Sequence, residues 1–340
     1  GIYSNNLSNP KFQKIQTELA PKISDYSNKI YQNNKLFERI KKVFMDSKNK
    51  PLDSTDQRLI DLTYRRFIMN GAELDSIKKL KYADINNELS TLYTKFSNNI
   101  LSDEENYTTF LSKNELSGLS ESFINSIKNE SIRLGRDDKF AISNTRSSMD
   151  PFLKFSENRN LRKQVWENYY SRADNNDEYD NKSIIGKILQ LRKERVNILG
   201  YDYYPEWRLQ DRMAKSPENA LKLLLDIWPS SIKTVEKEVN EMQKIANKDN
   251  VIIEPWDYRF YAEKVRNEKY DYDSEEVKSY LQLENLKDAM FFVAKEIFNL
   301  EFKEIEHGKV PVFHEDVSVW EVYDIDENKL IGLWYLDPFS

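Results

Sequence analysis

Apolar residues recur every three or four positions along much of this chain. Ile85, Leu89, Leu92, Phe96 and Ile100 fall on one face of a helix, with Asp75 or Ser76 placed to cap its start. Ile184, Ile188, Leu191, Arg195 and Ile198 make a second helical series, which ends at Gly200, a residue suited to the left-handed position that follows a helix. A third series runs from Ala220 through Leu224, Ile227, Ile232, Val235 and Val239 to Ile245, and Ser216-Pro217-Glu218 supplies its cap, first turn and first acid. Pro229 interrupts that series; its ring removes a donor and crowds the carbonyl four residues back, which predicts a kink or break. Asn285–Phe298 reads as a further helix. Alternating patterns are short: Tyr107–Leu111, Lys139–Ser143, and the clearer pair Val317–Tyr323 and Leu330–Leu336 around a hairpin loop at Asp324–Asn328. Glu301–Ile305 is placed to add a strand beside them. The polar run Ala173–Asn181 reads as an exposed loop and a joint between subdomains. The pattern predicts a mainly α fold with a small β element near the C-terminus.

Composition narrows the picture. A chain of 340 residues buries a sizeable core, as one large domain or two smaller ones. Only 8 glycines and 10 prolines favour long helices over tight turns. With 51 basic against 57 acidic residues the net charge is −6, so a nucleic-acid backbone is a poor partner. No run of apolar residues is long enough to span a membrane. The chain has no cysteine, which excludes disulfides and thiolate ligands; this fits a cytoplasmic protein, though many periplasmic proteins also lack cysteine.

Several blocks then point one way. The most informative is Glu254-Pro255-Trp256-Asp257-Tyr258-Arg259-Phe260-Tyr261, continuing to Arg266. Before it come Glu18–Lys22, Arg65-Arg66-Phe67-Ile68 leading to Gly71-Ala72-Glu73-Leu74, Glu115–Leu119 and Asp211–Ala220. After it come Val317–Asp324 and Trp334-Tyr335-Leu336-Asp337-Pro338-Phe339. In number, order and spacing these blocks resemble the M3 zinc metallopeptidases, the thimet-oligopeptidase family, and within it the bacterial peptidyl-dipeptidase (dipeptidyl carboxypeptidase) branch. The resemblance implies the long-helix scaffold of a zincin-like peptidase. It divides the chain into a helical region at 1–145, a second helical region at 146–299, and a β element at 300–340 leading toward a catalytic domain. It implies zinc in the parent protein, activating water beside a glutamate base, and short peptides as substrates. It also places the His-Glu-x-x-His helix beyond Ser340. The expectation is therefore a piece of a peptidase with both ends cut: inactive alone, binding no zinc, and partnered by the missing catalytic half. The alternatives are a non-catalytic helical peptide-binding remnant, and one subunit of a split metallopeptidase.

The residues themselves agree that no catalytic set is present. A zincin needs two histidines one helical turn apart, with a glutamate beside the first. His307 and His314 are the only histidines. His314-Glu315-Asp316-Val317-Ser318 begins like the motif, but Ser318 stands where the second histidine is needed. A two-histidine site drawing on Glu304 or Asp316 is the poorer alternative. Acidic pairs such as Asp271 with Asp273 and Glu275 with Glu276 read as solvated surface. No glycine-rich phosphate loop and no Gly-x-Ser-x-Gly elbow occur. Two aromatic groups, Trp256 with Tyr258, Phe260 and Tyr261, and Tyr201 with Tyr203, Tyr204 and Trp207, suit helix packing better than a peptide channel. The candidate substrate-binding residues are Trp334, Tyr335 and Asp337. They lie where a small sheet flanks the channel in the resembled family, and where an edge strand pairs with a peptide backbone.

Overall fold

The computed structural model describes residues 7–49, 52–270 and 274–338. Its contacts separate two compact units. Gln13–Val265 forms one; the described residues from Arg266 onward, with residues 7–12, form the other.

The larger unit is built from helices whose apolar stripes meet in pairs. α1 (Pro10–Tyr31), α2 (Asn34–Ser47) and α3 (Ser54–Met69) come together over Phe37, Phe67 and Ala72, with the Tyr31 ring edge-on to Phe67 at 5.1 Å. α4 (Ser76–Asn106) begins at Asp75, whose carboxylate accepts the N–H of Lys78 at 2.9 Å. Its stripe at Ile85 and Leu89 packs on Ile184, Ile188 and Leu191 of α8 (Lys182–Ile198), joining the two series expected from periodicity. Gly200 follows α8 at φ +89°, as its position demands.

Between α4 and α8 lies a layered core. β1 (Thr109–Leu111) pairs antiparallel with β2 (Phe140–Ile142), and α5 (Glu121–Arg133), α6 (Arg146–Phe155) and α7 (Arg159–Tyr170) close over Leu111, Ile142, Met149, Phe152 and Leu153. Gly118, in the turn before α5, sits at φ +86°, and a Cβ there would collide with the carbonyl oxygen of Phe155. That turn therefore requires glycine twice over, for backbone and for space. The polar run after α7 is a loop whose middle is exposed as expected, at Asp174, Asn176, Asp177 and Glu178, but whose two ends are tied down. Ala173 and Asn181 are buried, Ala173 N–H donates to Asp103 Oδ2 at 2.7 Å, and Asn99 and Asn181 bond side chain to side chain at 2.9 Å. Polar side chains on α4 anchor both ends of the run.

α9 (Tyr204–Leu209) buries Trp207 against Met69 and Val196. α10 (Pro217–Ala246) starts at Ser216, whose hydroxyl accepts the N–H of Asn219 at 3.3 Å. It continues through Pro229 without a break, at the position where the sequence predicts a kink or break. One missing donor is tolerable at this point because the helix around it is open to solvent, Leu225, four residues back, being 58% exposed. The last turns of α10 pack Met242 and Ala246 on Phe260 and Tyr261 of α11 (Tyr258–Tyr270).

In the smaller unit, α12 (Ser274–Tyr280) and α13 (Leu283–Phe298) precede a three-stranded antiparallel sheet in the order β3 (Leu300–Glu304), β4 (Ser318–Asp324), β5 (Lys329–Leu336). The sequence anticipated the hairpin and the flanking strand. Rings packed on the sheet cover its strands from one side. Phe291 of α13 stacks on Phe302 at 4.3 Å and meets Trp320 and Trp334 edge-on, each at 5.6 Å. The β4–β5 register shifts between Val322 and Tyr323, which face Gly332 and Leu330 and leave Ile331 as the extra residue of a bulge.

Candidate functional site

The sheet of the smaller unit carries the three candidate residues, and strand alternation sorts them. Trp334 faces α13, 4.9 Å from Trp320 and within the aromatic cluster. Tyr335 points to the opposite face and is 44% exposed. Asp337 follows the strand end and is also exposed. The sheet thus brings Tyr335 and Asp337 to a surface and turns Trp334 inward as packing. Phe339, the last residue of that sequence block, lies outside the described residues. β5 pairs only with β4, so among the described residues its outer edge offers a row of unpaired backbone donors and acceptors.

In the larger unit, the block at 254–266 is organised by a carboxylate. Asp257 is fully buried at the entrance to α11. Its Oδ2 accepts Arg159 Nη2 at 2.8 Å and Nε at 3.0 Å, and its Oδ1 accepts Arg162 Nη2 at 2.7 Å. The Glu254 N–H adds a further bond at 3.2 Å. Arg162 is itself buried, donates to the Ser156 carbonyl at 2.8 Å and lies 4.0 Å above the Phe260 ring. Burial pushes the Asp257 carboxyl up, but the hydrogen bonds from Arg159 and Arg162 outweigh it and hold it below the usual carboxylate value. Arg259 reaches the other way, to Asp150 at 2.7 Å and the Tyr170 hydroxyl at 3.2 Å. Tyr261 donates to Asp249 at 3.1 Å, and burial with that bond raises its phenol to about 12. The charges and rings of this block therefore join α11 and the residues before it to α6, α7 and the turn after α10. Tyr258 and Trp256 remain nearer the surface, Trp256 edge-on to Trp166 at 6.1 Å.

The histidines do not assemble a metal centre. His314 lies in the loop before β4, accepts the Asp316 N–H at Nδ1 over 3.2 Å, and is 3.4 Å from the Asp316 carboxylate; Ser318 opens the strand. His307 borders a cleft of about 80 Å³ with Glu304, Glu306 and Glu315. Among the described residues no group of three or more His, Cys, Asp or Glu side chains is placed to hold a metal ion. Asp271 and Asp273 lie outside the described residues, as does the side chain of Glu275.

A larger cavity, about 300 Å³, opens between α3 and α9. Met69 and Trp207 line it, and the Trp207 indole N–H donates to the Met69 carbonyl at 3.0 Å. Arg65, Arg66 and Arg208 give its rim positive character, partly offset by Asp211, which is held 3.5 Å from Arg212. Sequence reasoning singled out Arg65 and Arg66 only as part of a block; Arg208 gave no signal because its neighbourhood is made by folding. Among the described residues no helix is long and apolar enough to cross a membrane.

Residues 152–340 match the sequence model of Peptidase family M3. The dipeptidyl carboxypeptidase of Escherichia coli (strain K12) is 30% identical over 337 residues, which cover 98% of this chain and 49% of that protein. The oligopeptidase A of Salmonella typhimurium (strain LT2) is 26% identical over 344 residues, 99% of this chain and 50% of its own. The organellar oligopeptidase A of Arabidopsis thaliana is 28% identical over 343 residues, 97% of this chain and 43% of its own. The chain spans about half the length of the curated relatives it matches.

Proposed function

The chain belongs to peptidase family M3, and from that premise we propose that it is the scaffold and substrate-channel portion of a zinc-dependent oligopeptidase of the peptidyl-dipeptidase kind, acting on short peptides. The observation that carries this reading is the match along almost the whole chain to dipeptidyl carboxypeptidases about twice its length. On this reading the helical regions 1–145 and 146–299 wall the channel, and 300–340 leads toward the catalytic region. Zinc is held by residues outside this chain; the reading is supported by the lack, among the described residues, of any group of three or more His, Cys, Asp or Glu side chains placed for a metal. The open edge of β5 pairs with the backbone of an extended peptide. Tyr335 and Asp337 border that peptide, while Trp334 fixes the strand from behind through Trp320 and Phe291.

The chain alone is then expected to be inactive. Zinc content after dialysis, and cleavage of short peptides with and without added zinc, test this directly. Expected are substoichiometric zinc and no cleavage by the chain alone. Chelator-sensitive cleavage should appear once it is mixed with the complementary half of a family-length peptidase. Tight stoichiometric zinc with cleavage by the chain alone would overturn the reading. Peptide binding without cleavage in the mixture would favour a non-catalytic peptide-binding protein.

A further inference from the structure

α10 carries one apolar stripe along its whole length, and only its end is covered. At 3.6 residues per turn, Leu221, Leu224, Trp228, Ile232 and Val235 run in line into Val239, Met242 and Ala246. The last three belong to the core beneath α11, where Met242 and Ala246 are buried. The first five are open to solvent: Leu224 and Trp228 are each 64% exposed, and Val235 is still 46% exposed. Leu223, Leu225 and Ile227 widen the open part, each more than half exposed. Between Ala220 and Trp228 only Lys222 and Asp226 are polar. A helix apolar over most of its circumference is a buried helix, and a patch of this many large side chains exceeds what monomeric soluble proteins leave bare.

With the reading above as premise, we propose that the Leu221–Val235 face of α10 is the docking surface for the half of a family-length M3 peptidase that this chain does not span. Three observations select that occupant. The open stripe continues an interface already formed at Met242 and Ala246, so it extends a protein core. The relatives hold about as much chain again, enough to cover it. The stripe itself is uncharged, and the helix around it mixes Lys233 and Lys237 with Glu236 and Glu238, which gives an anionic membrane or a charged partner no purchase.

The test mixes this chain with the separately produced complementary half of a dipeptidyl carboxypeptidase relative and follows complex formation by sedimentation velocity. Three forms are compared: wild type, the double variant Leu224→Glu with Trp228→Glu, and a polar-face control, Lys233→Glu. Both stripe residues are well exposed, so circular dichroism should show the fold of the double variant unchanged. The wild type and the control should form a one-to-one complex, and the double variant should bind about 30-fold or more weakly, as loss of interface anchors does. No complex with the wild type, or a complex indifferent to the double substitution, would overturn the proposal. So would wild-type self-association, or binding to anionic lipid vesicles, that the double substitution abolishes while no mixed complex forms. Peptide cleavage, read separately, tells the two readings apart. A stripe-dependent complex that cleaves nothing keeps this surface and removes the peptidase reading; a cleaving mixture indifferent to the substitutions does the reverse.

Discussion

Asp257 is the residue on which the larger unit most depends. A carboxylate with no solvent exposure is held by two guanidiniums, one of them equally buried. Removing it strands the Arg162 charge in the interior, and breaking a buried pair from one side costs about 3–5 kcal/mol. Asp257→Asn is expected to lower the unfolding free energy by about that amount in urea titrations. An unchanged midpoint would show that the pair contributes nothing net. The pH dependence has a definite sign. The folded carboxyl sits below its ordinary value of 3.8, so its contribution is fully present above that pH and is lost as the pH falls through the folded value. Asp150, pushed up by burial but held down further by Lys154 and Arg259, acts in the same direction. Stability should therefore drop below about pH 4, and the drop should be shallower in Asp257→Asn. The sequence marked Asp257 as part of a characteristic block but could not name its partners. Arg162 lies 95 positions away, and a buried carboxylate reads in sequence like the solvated acids around it.

At the scale of elements, periodicity carried much of the information. The stripes of α4, α8 and α10 were legible because a face that meets another helix must be apolar at helical spacing. The strands were legible because Val317–Tyr323 alternates. Two further features have local causes. Pro229 does not end α10, and the turn preceding it is open to solvent at Leu225. The sheet is covered by a ring on α13, across a contact that alternation cannot announce. That contact is testable. Trp320 is 3% exposed at the centre of the cluster, and truncating such a ring costs about 3–5 kcal/mol. In Trp320→Ala, hydrogen exchange should show β3, β4 and β5 losing protection together while α4 keeps its own. Protection retained in the sheet would mean that strand pairing suffices without the aromatic cluster.

For the molecule as a whole, the candidate site was legible only in outline. Tyr335 and Asp337 reach a surface, but Trp334 does not share it, because adjacent strand residues point to opposite faces and the bulge at Ile331 precedes all three. The exposed part of α10 was read in sequence as ordinary amphipathic helix; spacing alone does not say which turns of a stripe find a neighbour. The clamp at Asp257 has one more consequence, in time. Arg159 and Arg162 stand 98 and 95 positions before their carboxylate, so the chain must close a long loop before the bond rewards it. Such a joint is expected to form after the rate-limiting barrier of folding. In stopped-flow experiments Asp257→Asn should then refold at nearly the wild-type rate and unfold faster, so that the whole loss of stability appears as a shortened lifetime of the native state. If refolding slows instead, the clamp is already made at the barrier, and α7 and α11 meet early.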